Sequence, residues 1–241
     1  MTNMNKPIST NPPRKAPMAL TEALVARTMR VVEDAGPTPG MVHMRDADYA
    51  RFRDEILASA PSGPLKLFAY GSLLWKPAGE VRGGERAVAR GWHRSFCFTV
   101  QRFRGTLEQP GLMMALDRGG QCRGMVFEIA APVAANLEAL LRREMTILPA
   151  VNVPRWLQVR TEGGMSRALG FVVDPANPRY AGKLDKQAIA ATLARAVGHW
   201  GSGAEYLFET IRHLEACGIR DRNLWQLQEQ VAEEIGRTDA C

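Results

Sequence analysis

The stretch LKLFAYGSLLWKP, residues 65–77, decides the fold, because the apolar pattern of the chain changes there from helical to strand-like. Its first half, LKLFAY, is a short apolar run bounded by Pro64 and Gly71, which predicts a buried strand. Gly71 lets the backbone approach a ligand closely, and successive N–H groups in such a loop form an anion-binding concavity. An ordinary turn with aromatic packing has the same pattern. The sequence around Ser72 does not match the G-x-S-x-G motif, so a hydrolase nucleophile elbow is not predicted.

The region after this loop is rich in predicted strands. They lie at residues 85–100, 111–117, 121–130, 154–161 and 166–174. Gly91 marks the first as a strand pair or one bent strand, Gly119-Gly120 predicts a hairpin, and Gly163-Gly164 a further turn. Helical spacing of apolar residues predicts helices over 132–145, 187–199, 204–217 and 224–235. This order of elements favours an α+β fold with an antiparallel or mixed sheet that can close into a small barrel.

The residues before Leu65 divide into two predicted parts. Residues 1–19 are polar and contain four prolines, which predicts a disordered tail. Residues 20–62 predict a helical N-terminal extension, with one helix from Thr21 to Ala35 and a second after Asp46. The main domain then spans residues 63–236.

The composition of the chain is that of a globular protein. Of its 241 residues, 46% are hydrophobic and 23% are charged. No apolar run is long enough to span a bilayer, and the first residues lack the apolar core of a secretory signal. Four scattered cysteines without a CxxC pair predict reduced thiols rather than disulfides or a zinc site. We therefore expect a cytoplasmic protein without a membrane partner, and nothing in the sequence indicates an oligomeric state.

The positive charge of the chain is concentrated in one stretch. The net charge is +6, and six arginines fall between Arg82 and Arg104 against one acid, Glu85. They predict either a solvated strand face or a field that attracts a small anionic substrate. No nucleic-acid-binding motif accompanies them, so a nucleic-acid partner is not expected.

Glu144 is the main candidate for catalysis. The apolar face of the helix predicted over 132–145 consists of Leu137, Leu140 and Leu141. Glu144 follows them at helical spacing and falls on that face, whereas Glu138 lies off it. Burial disfavours a charged carboxylate, so the pKa of Glu144 should rise towards neutrality, as suits a general acid/base. A buried ion pair with Arg142 or Arg143, or a helix end turned into solvent, would explain the same pattern.

No metal or nucleotide site is predicted. His43, His93, His199 and His213 have neither ligand spacing nor a companion cluster. The Gly201-Ser202-Gly203 segment lacks the lysine and the preceding strand of a phosphate loop. We therefore expect neither a metal nor a cofactor.

Nine segments follow one another along the chain in a recognisable order. They are YGSLLWKP (70–77), RGWHRSFC (90–97), FRGTLEQPG (103–111), LDRGGQCRGMVFEI (116–129), LLRREM (140–145), PRWLQV (154–159), FVVDPANPRYAG (171–182), EYLFETIRHLE (205–215) and GIRDRNL (218–224). Together they resemble the ChaC-like gamma-glutamylcyclotransferases of the glutathione-specific branch, over about residues 65–232. The YGSL loop followed by a glutamate on a later helix is a specific pairing.

This resemblance implies a small mixed β-barrel flanked by helices. It also implies that glutathione is cleaved to 5-oxoproline and cysteinylglycine without metal or cofactor, by attack of the substrate's α-amine on its own γ-amide carbonyl. By the same resemblance, Glu144 matches the catalytic glutamate. The residues that the resemblance assigns to substrate binding are Tyr70, Gly71, Ser72, Leu73 and Tyr206.

Two other functions fit the same sequence. One is a cyclotransferase that acts on another gamma-glutamyl amine or amino acid. The other is a non-catalytic regulatory binding protein linked to cation transport. Glu144 discriminates against the second, because a purely regulatory protein has no reason to keep a carboxylate on an apolar face.

Overall fold

The structure, a computed structural model, describes residues 17–238, so most of the predicted tail (residues 1–19) lies outside the described residues. The helices in that range are α1 (Glu22–Thr28), α2 (Asp46–Ala58), α3 (Val133–Glu144), α4 (Lys186–Arg195), α5 (Gly203–Ala216) and α6 (Arg222–Thr238). The strands are β1 (Val42–His43), β2 (Lys66–Ala69), β3 (Val81–Val100), β4 (Gly111–Ile129), β5 (Ile147–Leu148), β6 (Asn152–Thr161), β7 (Gly164–Val173), β8 (Val197–Gly198) and β9 (Gly201–Ser202).

Five strands close into a small barrel in the order β2–β4–β3–β6–β7. Successive neighbours in this order are antiparallel. A parallel pairing of β7 with β2, at Leu67 and Leu169, closes the barrel. One apolar cluster draws buried side chains from all five strands, among them Phe68, Ala89, Leu116, Leu157 and Val172. The predicted α+β fold, a mixed barrel flanked by helices, is confirmed.

Strands β3 and β4 form one long ribbon connected by the loop at residues 101–110. β3 is a single strand bent at Gly91 (φ +79°), where the register shifts between Arg90 and Trp92. The hairpin predicted at Gly119-Gly120 is wrong, because β4 continues through both glycines (φ +105° and +65°). They lie opposite Gly91 in the ladder, so the two strands bend together and the chain does not reverse.

Helices cover the barrel on two sides. α2 packs on α3, and the Tyr49 hydroxyl of α2 donates a hydrogen bond to the Met145 carbonyl at 2.9 Å. α1, α4, α5 and α6 share a second apolar cluster on the other side. α4 ends at Arg195, earlier than the predicted helix over 187–199, because the chain turns there into the β8–β9 hairpin. Over the described range, none of the helices has both the length and the apolar character needed to cross a membrane.

α1 is shorter than the helix predicted from Thr21 to Ala35. It ends at Thr28, whose hydroxyl lies 2.8 Å from both the Val25 carbonyl and the Ser202 hydroxyl. Met29 leaves the helical backbone (ψ 132°) and is 46% exposed. A further turn would therefore have no buried face to stabilise it.

The chain before α2 is attached to the rest of the molecule at several points outside its helices. Before α1, the Leu20 N–H donates to Gln228 Oε1 at 2.7 Å in a buried contact. Further on, Asp34 accepts two hydrogen bonds from Arg102, at 2.7 and 2.6 Å. β1 then pairs antiparallel with β5, with His43 opposite Ile147. We call residues 34–43 the strap.

Candidate active site

A cavity opens where the C-terminal end of α3, the first turn of α5, the turn after β2 and the strap meet. Its wall includes Ser72, Glu144 and Tyr206, so the structure brings three of the predicted site residues together. Tyr70, Gly71 and Leu73 are outside this wall. Met113 and Met114 add an apolar, polarisable surface to it.

Glu144 is the last residue of α3 and faces the cavity. The helix buries the apolar face that the sequence predicts, with Leu137, Leu140 and Leu141 each 0% exposed. The Glu144 side chain is 15% exposed. The helix end therefore does not turn the carboxylate into bulk solvent.

The environment of Glu144 favours its neutral form. Burial raises the pKa of Glu144 to about 7, against the opposing effects of Arg143 and of a hydrogen bond from Asn152. Asn152 Nδ2 donates to Oε2 at 2.9 Å, whereas Arg143 Nε lies 3.9 Å from Oε1, beyond hydrogen-bond distance. The partial negative charge at a helix C-terminus acts in the same direction as burial. Desolvation thus outweighs the ion pair, and the carboxyl group can give and take a proton near neutral pH.

Glu138, on the same helix, has the opposite environment. It accepts hydrogen bonds from Arg53 of α2 at 2.8 Å and from Arg142 at 2.7 Å. The hydrogen bond from Arg142 makes the largest contribution to lowering the pKa of Glu138. This carboxylate links α3 to α2 and is not part of the cavity wall.

The YGSL loop, residues 70–73, leads from β2 into a single 3-10 turn over Ser72–Leu74. The hydrogen bonds of the turn are donated by the backbone of Leu74, Trp75 and Lys76. The N–H groups of Gly71, Ser72 and Leu73 take no part in these bonds. Consecutive N–H groups that a turn leaves unused are suited to holding an anion.

The loop is fixed from the side away from the cavity. Arg94 Nε donates to the Tyr70 carbonyl at 2.6 Å, and Arg94 Nη1 pairs with Asp221 at 2.7 Å. The Tyr70 hydroxyl donates to the Phe171 carbonyl at 2.8 Å, so its side chain belongs to the core. Leu73 packs in the cluster that holds the leucines of α3. Tyr70 and Leu73 therefore hold the loop in place through their side chains.

Gly71 lies behind two residues of the cavity wall, Met114 and Tyr206. A Cβ atom there would lie 3.1 Å from Met114 Cε and 3.4 Å from the Tyr206 hydroxyl. Its φ of −141° lies outside the left-handed region, so the close approach of these two side chains is what favours glycine here.

Tyr206 lies in the first turn of α5, whose N-cap is Ser202. Its ring meets Phe96 edge-on with centroids 5.8 Å apart, and the Arg104 guanidinium lies 5.1 Å from its centroid. Burial and the charge of Glu144 raise the pKa of Tyr206. The phenol therefore stays protonated at neutral pH and can donate a hydrogen bond in the cavity.

The cavity wall is strongly cationic. Its basic side chains are Lys76, Arg102, Arg104, Arg143 and Arg179. Glu144 is the one acidic residue that the described chain places in this wall. Asp34 and Glu205 balance Arg102 and Arg104, respectively. The remaining positive charge favours a substrate that carries carboxylates.

The arginine-rich stretch of the sequence serves more than one purpose. Arg82, Arg86 and Arg90 are exposed on β3, as expected for a solvated strand face. Arg94 is buried and holds the YGSL loop. Arg102 and Arg104 reach the cavity, as expected for a field that attracts an anion.

Several functional candidates were not predicted from the sequence. Four atoms in the wall are buried without a hydrogen-bond partner in the part of the chain that is described: His43 Nε2, Trp75 Nε1, Arg143 Nε and Asn152 Oδ1. Such groups cost free energy unless a ligand or water satisfies them. Asn152 comes eight residues after Glu144 across a non-helical connection, so no periodicity relates the two. His43 reaches the wall through the β1–β5 pairing, which the sequence did not predict.

No cluster of three or more His, Cys, Asp or Glu side chains suited to a metal ion occurs within residues 17–238. The side chains in the cavity wall offer acid/base and hydrogen-bonding groups. These are groups that can bind an anionic amide and move protons on it.

Comparison with known proteins identifies the family. The family model described as ChaC-like protein matches residues 65–234. The chain belongs to the ChaC-like family. A curated relative of this ChaC-like protein, the glutathione-specific gamma-glutamylcyclotransferase of Escherichia coli K12, is 36% identical over 171 residues, which are 70% of this chain and 73% of the relative. The Schizosaccharomyces pombe protein of the same name is 27% identical over 201 residues, or 74% and 98% of the two chains.

The fold of the ChaC-like protein also matches a solved structure. A crystal structure of a yeast gamma-glutamyl cyclotransferase specific to glutathione superposes with a TM-score of 0.65 and 19% identity, over 72% of this chain and 97% of that one. The family match begins at residue 65, so α1, the strap and α2 lie outside it.

Proposed function

We propose that the protein is a glutathione-specific gamma-glutamylcyclotransferase that cleaves glutathione to 5-oxoproline and cysteinylglycine. The observation that carries this proposal is Glu144, a carboxyl group with a pKa of about 7 in the wall of a cationic cavity. The curated relatives that share this name support the choice of substrate.

The reaction needs no nucleophile from the protein. The substrate's α-nitrogen forms a bond to its own γ-carbonyl carbon, and the bond from that carbon to the cysteine nitrogen breaks. Closure of a five-membered ring is intramolecular, so much of the entropic cost of bringing the reacting atoms together is already removed. The protein's task is to move protons and to stabilise charge.

Glu144 is placed to carry the protons. The α-nitrogen enters as an ammonium group and ends as a lactam N–H, so it loses two protons, while the leaving nitrogen gains two. One carboxylate that accepts each proton and then donates it leaves no net change. The raised pKa of Glu144, about 7, is closer to that of the substrate's α-ammonium than an ordinary glutamate's, so the transfer costs less free energy. The Asn152 amide orients the carboxylate.

The YGSL loop is the proposed cradle for the gamma-glutamyl half. The unused N–H groups of Gly71, Ser72 and Leu73 can hold the α-carboxylate or the oxyanion that develops on the γ-carbonyl. The Tyr206 hydroxyl lies close to Gly71 and adds a donor from the opposite wall. Tyr70 and Leu73 contribute by fixing the loop.

We also propose a division of the chain and a location. Residues 63–236 would form the catalytic domain and residues 20–62 an N-terminal extension. A cytoplasmic location fits the free thiols of Cys97 and Cys122. Burial raises the pKa of Cys97 to about 12 and that of Cys122 to about 11, so both stay protonated as buried core groups.

The test is an assay of purified protein with glutathione, in which 5-oxoproline and cysteinylglycine are measured together. We expect equal amounts of the two products from the wild type and almost none from Glu144→Gln. A panel of gamma-glutamyl amino acids, which lack the glycine, should release 5-oxoproline far more slowly. Faster turnover of that panel would reassign the substrate, and binding of glutathione without any 5-oxoproline would indicate a non-catalytic protein.

A further inference from the structure

The strap crosses the mouth of the cavity although it lies outside the family match. Two attachments hold it there: the paired hydrogen bonds between Asp34 and Arg102, and the β1–β5 pairing. The Arg102 hydrogen bond lowers the pKa of Asp34 to about 2, so this ion pair persists at neutral pH. The attachments bring Thr38 and His43 into the cavity wall.

The cavity continues outward into a second chamber. The two chambers share His43, Arg102, Arg143 and Trp200, and Arg142 lines the outer one. No acidic side chain from the described part of the chain lines this outer chamber. Arg102 and Arg142 of this chamber pair with acids outside its lining, so Arg143 contributes the positive charge that the two chambers share.

Two atoms at the junction of the chambers are buried and have no hydrogen-bond partner among the described residues: His43 Nε2 and Arg143 Nε. Glu144 Oε1 lies 3.9 Å from Arg143 Nε, beyond hydrogen-bond distance. The Arg143 guanidinium lies 5.7 Å from the Trp200 ring centroid, an interaction that does not use its Nε–H donor. Arginine is a donor at any physiological pH, and the imidazole donates through Nε2 when that nitrogen carries the proton. Both residues line the two chambers, and the two oxygens of a carboxylate can accept a hydrogen bond from each of them.

We infer that His43 and Arg143 form a subsite for the terminal carboxylate of the substrate's leaving half, and that His43 of the strap determines specificity for it. This inference rests on the proposed function. In a gamma-glutamyl tripeptide the terminal carboxylate lies two residues, roughly 7 Å, from the amide that breaks. His43 pairs with Ile147, which follows closely after Glu144, so the subsite lies near the proposed acid/base.

The experiment measures KM and kcat separately for glutathione and for glutathione with its terminal carboxylate converted to a carboxamide. The proteins are the wild type, His43→Ala, His43→Gln and the control His93→Ala. His93 lies on β3, where its Nδ1 meets the Gly119 carbonyl, outside both chambers. Arg143 is not substituted, because it also acts on Glu144.

We expect His43→Ala to raise KM for glutathione about 10- to 100-fold, the usual effect of losing a hydrogen bond to a charged group, with kcat within about twofold of the wild type. The carboxamide should raise the wild-type KM by a similar factor, and His43→Ala should add little to that. His43→Gln, which keeps a donor, should recover part of the loss, and His93→Ala should match the wild type.

The inference is overturned if His43→Ala raises KM equally for both substrates, since His43 would then bind the thiol or the peptide. It is also overturned if kcat falls instead of KM rising, or if the wild type does not distinguish the two substrates. The last comparison needs no variant, so a folding defect cannot obscure it. If the wild type turns over neither substrate, the proposed function fails; if it turns over glutathione without this pattern, only the subsite fails.

Discussion

At the scale of single residues, two glutamates on one helix show how burial changes the chemistry of a side chain. Glu138 meets Arg53 and Arg142, and their hydrogen bonds favour its charged form. Glu144 meets leucines and an amide, and burial favours its neutral form. Their spacing on the helix determines this difference, because only Glu144 falls on the apolar face.

Replacement of Glu144 by glutamine should reduce turnover of glutathione by about 10²–10⁴, because the variant keeps the size of the side chain and loses proton transfer. The matched variant, Glu138→Gln, should keep near-normal kcat and KM. The readout is the initial rate of 5-oxoproline release. Comparable activity in the two variants would move the acid/base role to another group or to the substrate.

The pH profile should report the same carboxyl group. Because the pKa of Glu144 is raised to about 7, kcat/KM of the free enzyme should fall about tenfold per pH unit below that value, as the base becomes protonated. Asn152→Ala removes a hydrogen bond that lowers this pKa, so the acidic limb should move to higher pH. The control is Asn136→Ala. It removes an asparagine in the first turn of α3 that bonds to the backbone of Glu80 and Ala130, and it should leave the limb in place. A limb near pH 4.5 would contradict the assignment.

The raised pKa also predicts how stability varies with pH. The folded protein holds the Glu144 proton more tightly than the unfolded chain, whose pKa is near 4.5. This stabilising contribution is complete below pH 4.5 and is lost as the pH rises through about 7, a change of about 3 kcal/mol. Glu144→Gln should therefore unfold at higher urea concentration than the wild type at pH 8, with the difference vanishing near pH 4.5. An equal difference at both pH values would show that ionisation is not its cause.

At the scale of elements, the YGSL loop packs closely at Gly71 against Met114 of β4 and Tyr206 of α5. Gly71→Val should abolish turnover, because the added atoms meet Met114 and the Tyr206 hydroxyl, both within 3.4 Å of a Cβ at this position. Overpacking of this kind typically costs about 1–3 kcal/mol in stability, so a folded protein should remain. The matched change, Gly163→Val, enters a turn with the nearest atom at 3.7 Å and should keep wild-type activity. Circular dichroism of both variants separates a lost site from a lost fold, and full activity of a folded Gly71→Val would exclude the loop as the cradle.

Local patterns in the sequence predicted the elements that local forces determine. The apolar face of α3 and the α+β barrel were predicted, and the bend of β3 at Gly91 was one of the two alternatives for that stretch. The pair at Gly119-Gly120 was misassigned as a hairpin, because two positive-φ glycines also fit a bulge, and only the partner strand distinguishes the two. The early end of α1 depends on contacts with Ser202, far away in the chain.

The residues of the site likewise include some that local patterns predicted and some that they did not. Glu144, Ser72 and Tyr206 could be named from helical spacing and from the resemblance, and the structure places them in one wall. Asn152 and His43 could not, since each acts through a contact between distant elements. Periodicity describes one helix or strand at a time, whereas these contacts exist only after the barrel and the strap have assembled.

At the scale of the whole molecule, the N-terminal extension is packed into the fold. Leu20 is 0% exposed and lies in the cluster shared by α1 and the C-terminal helices. Leu20→Ala should reduce the free energy of unfolding by about 2–5 kcal/mol, as expected for a large-to-small change in a core. Met29→Ala, at a position 46% exposed just after α1, should change it by less than about 0.5 kcal/mol. Urea unfolding measures both, and similar small losses would show that the extension is only loosely attached.

The hydrogen bond between Leu20 and Gln228 has a consequence for the order in which the protein is made on the ribosome. The two residues are 208 positions apart. At roughly 5–20 residues per second, Leu20 is synthesised about 10–40 s before Gln228. During that interval the apolar residues Leu20 and Val25 have no α6 to bury them, although they belong to the same cluster in the finished molecule. The nascent chain thus exposes this apolar segment until α6 has been synthesised, and nascent-chain binding factors can reach it during that interval.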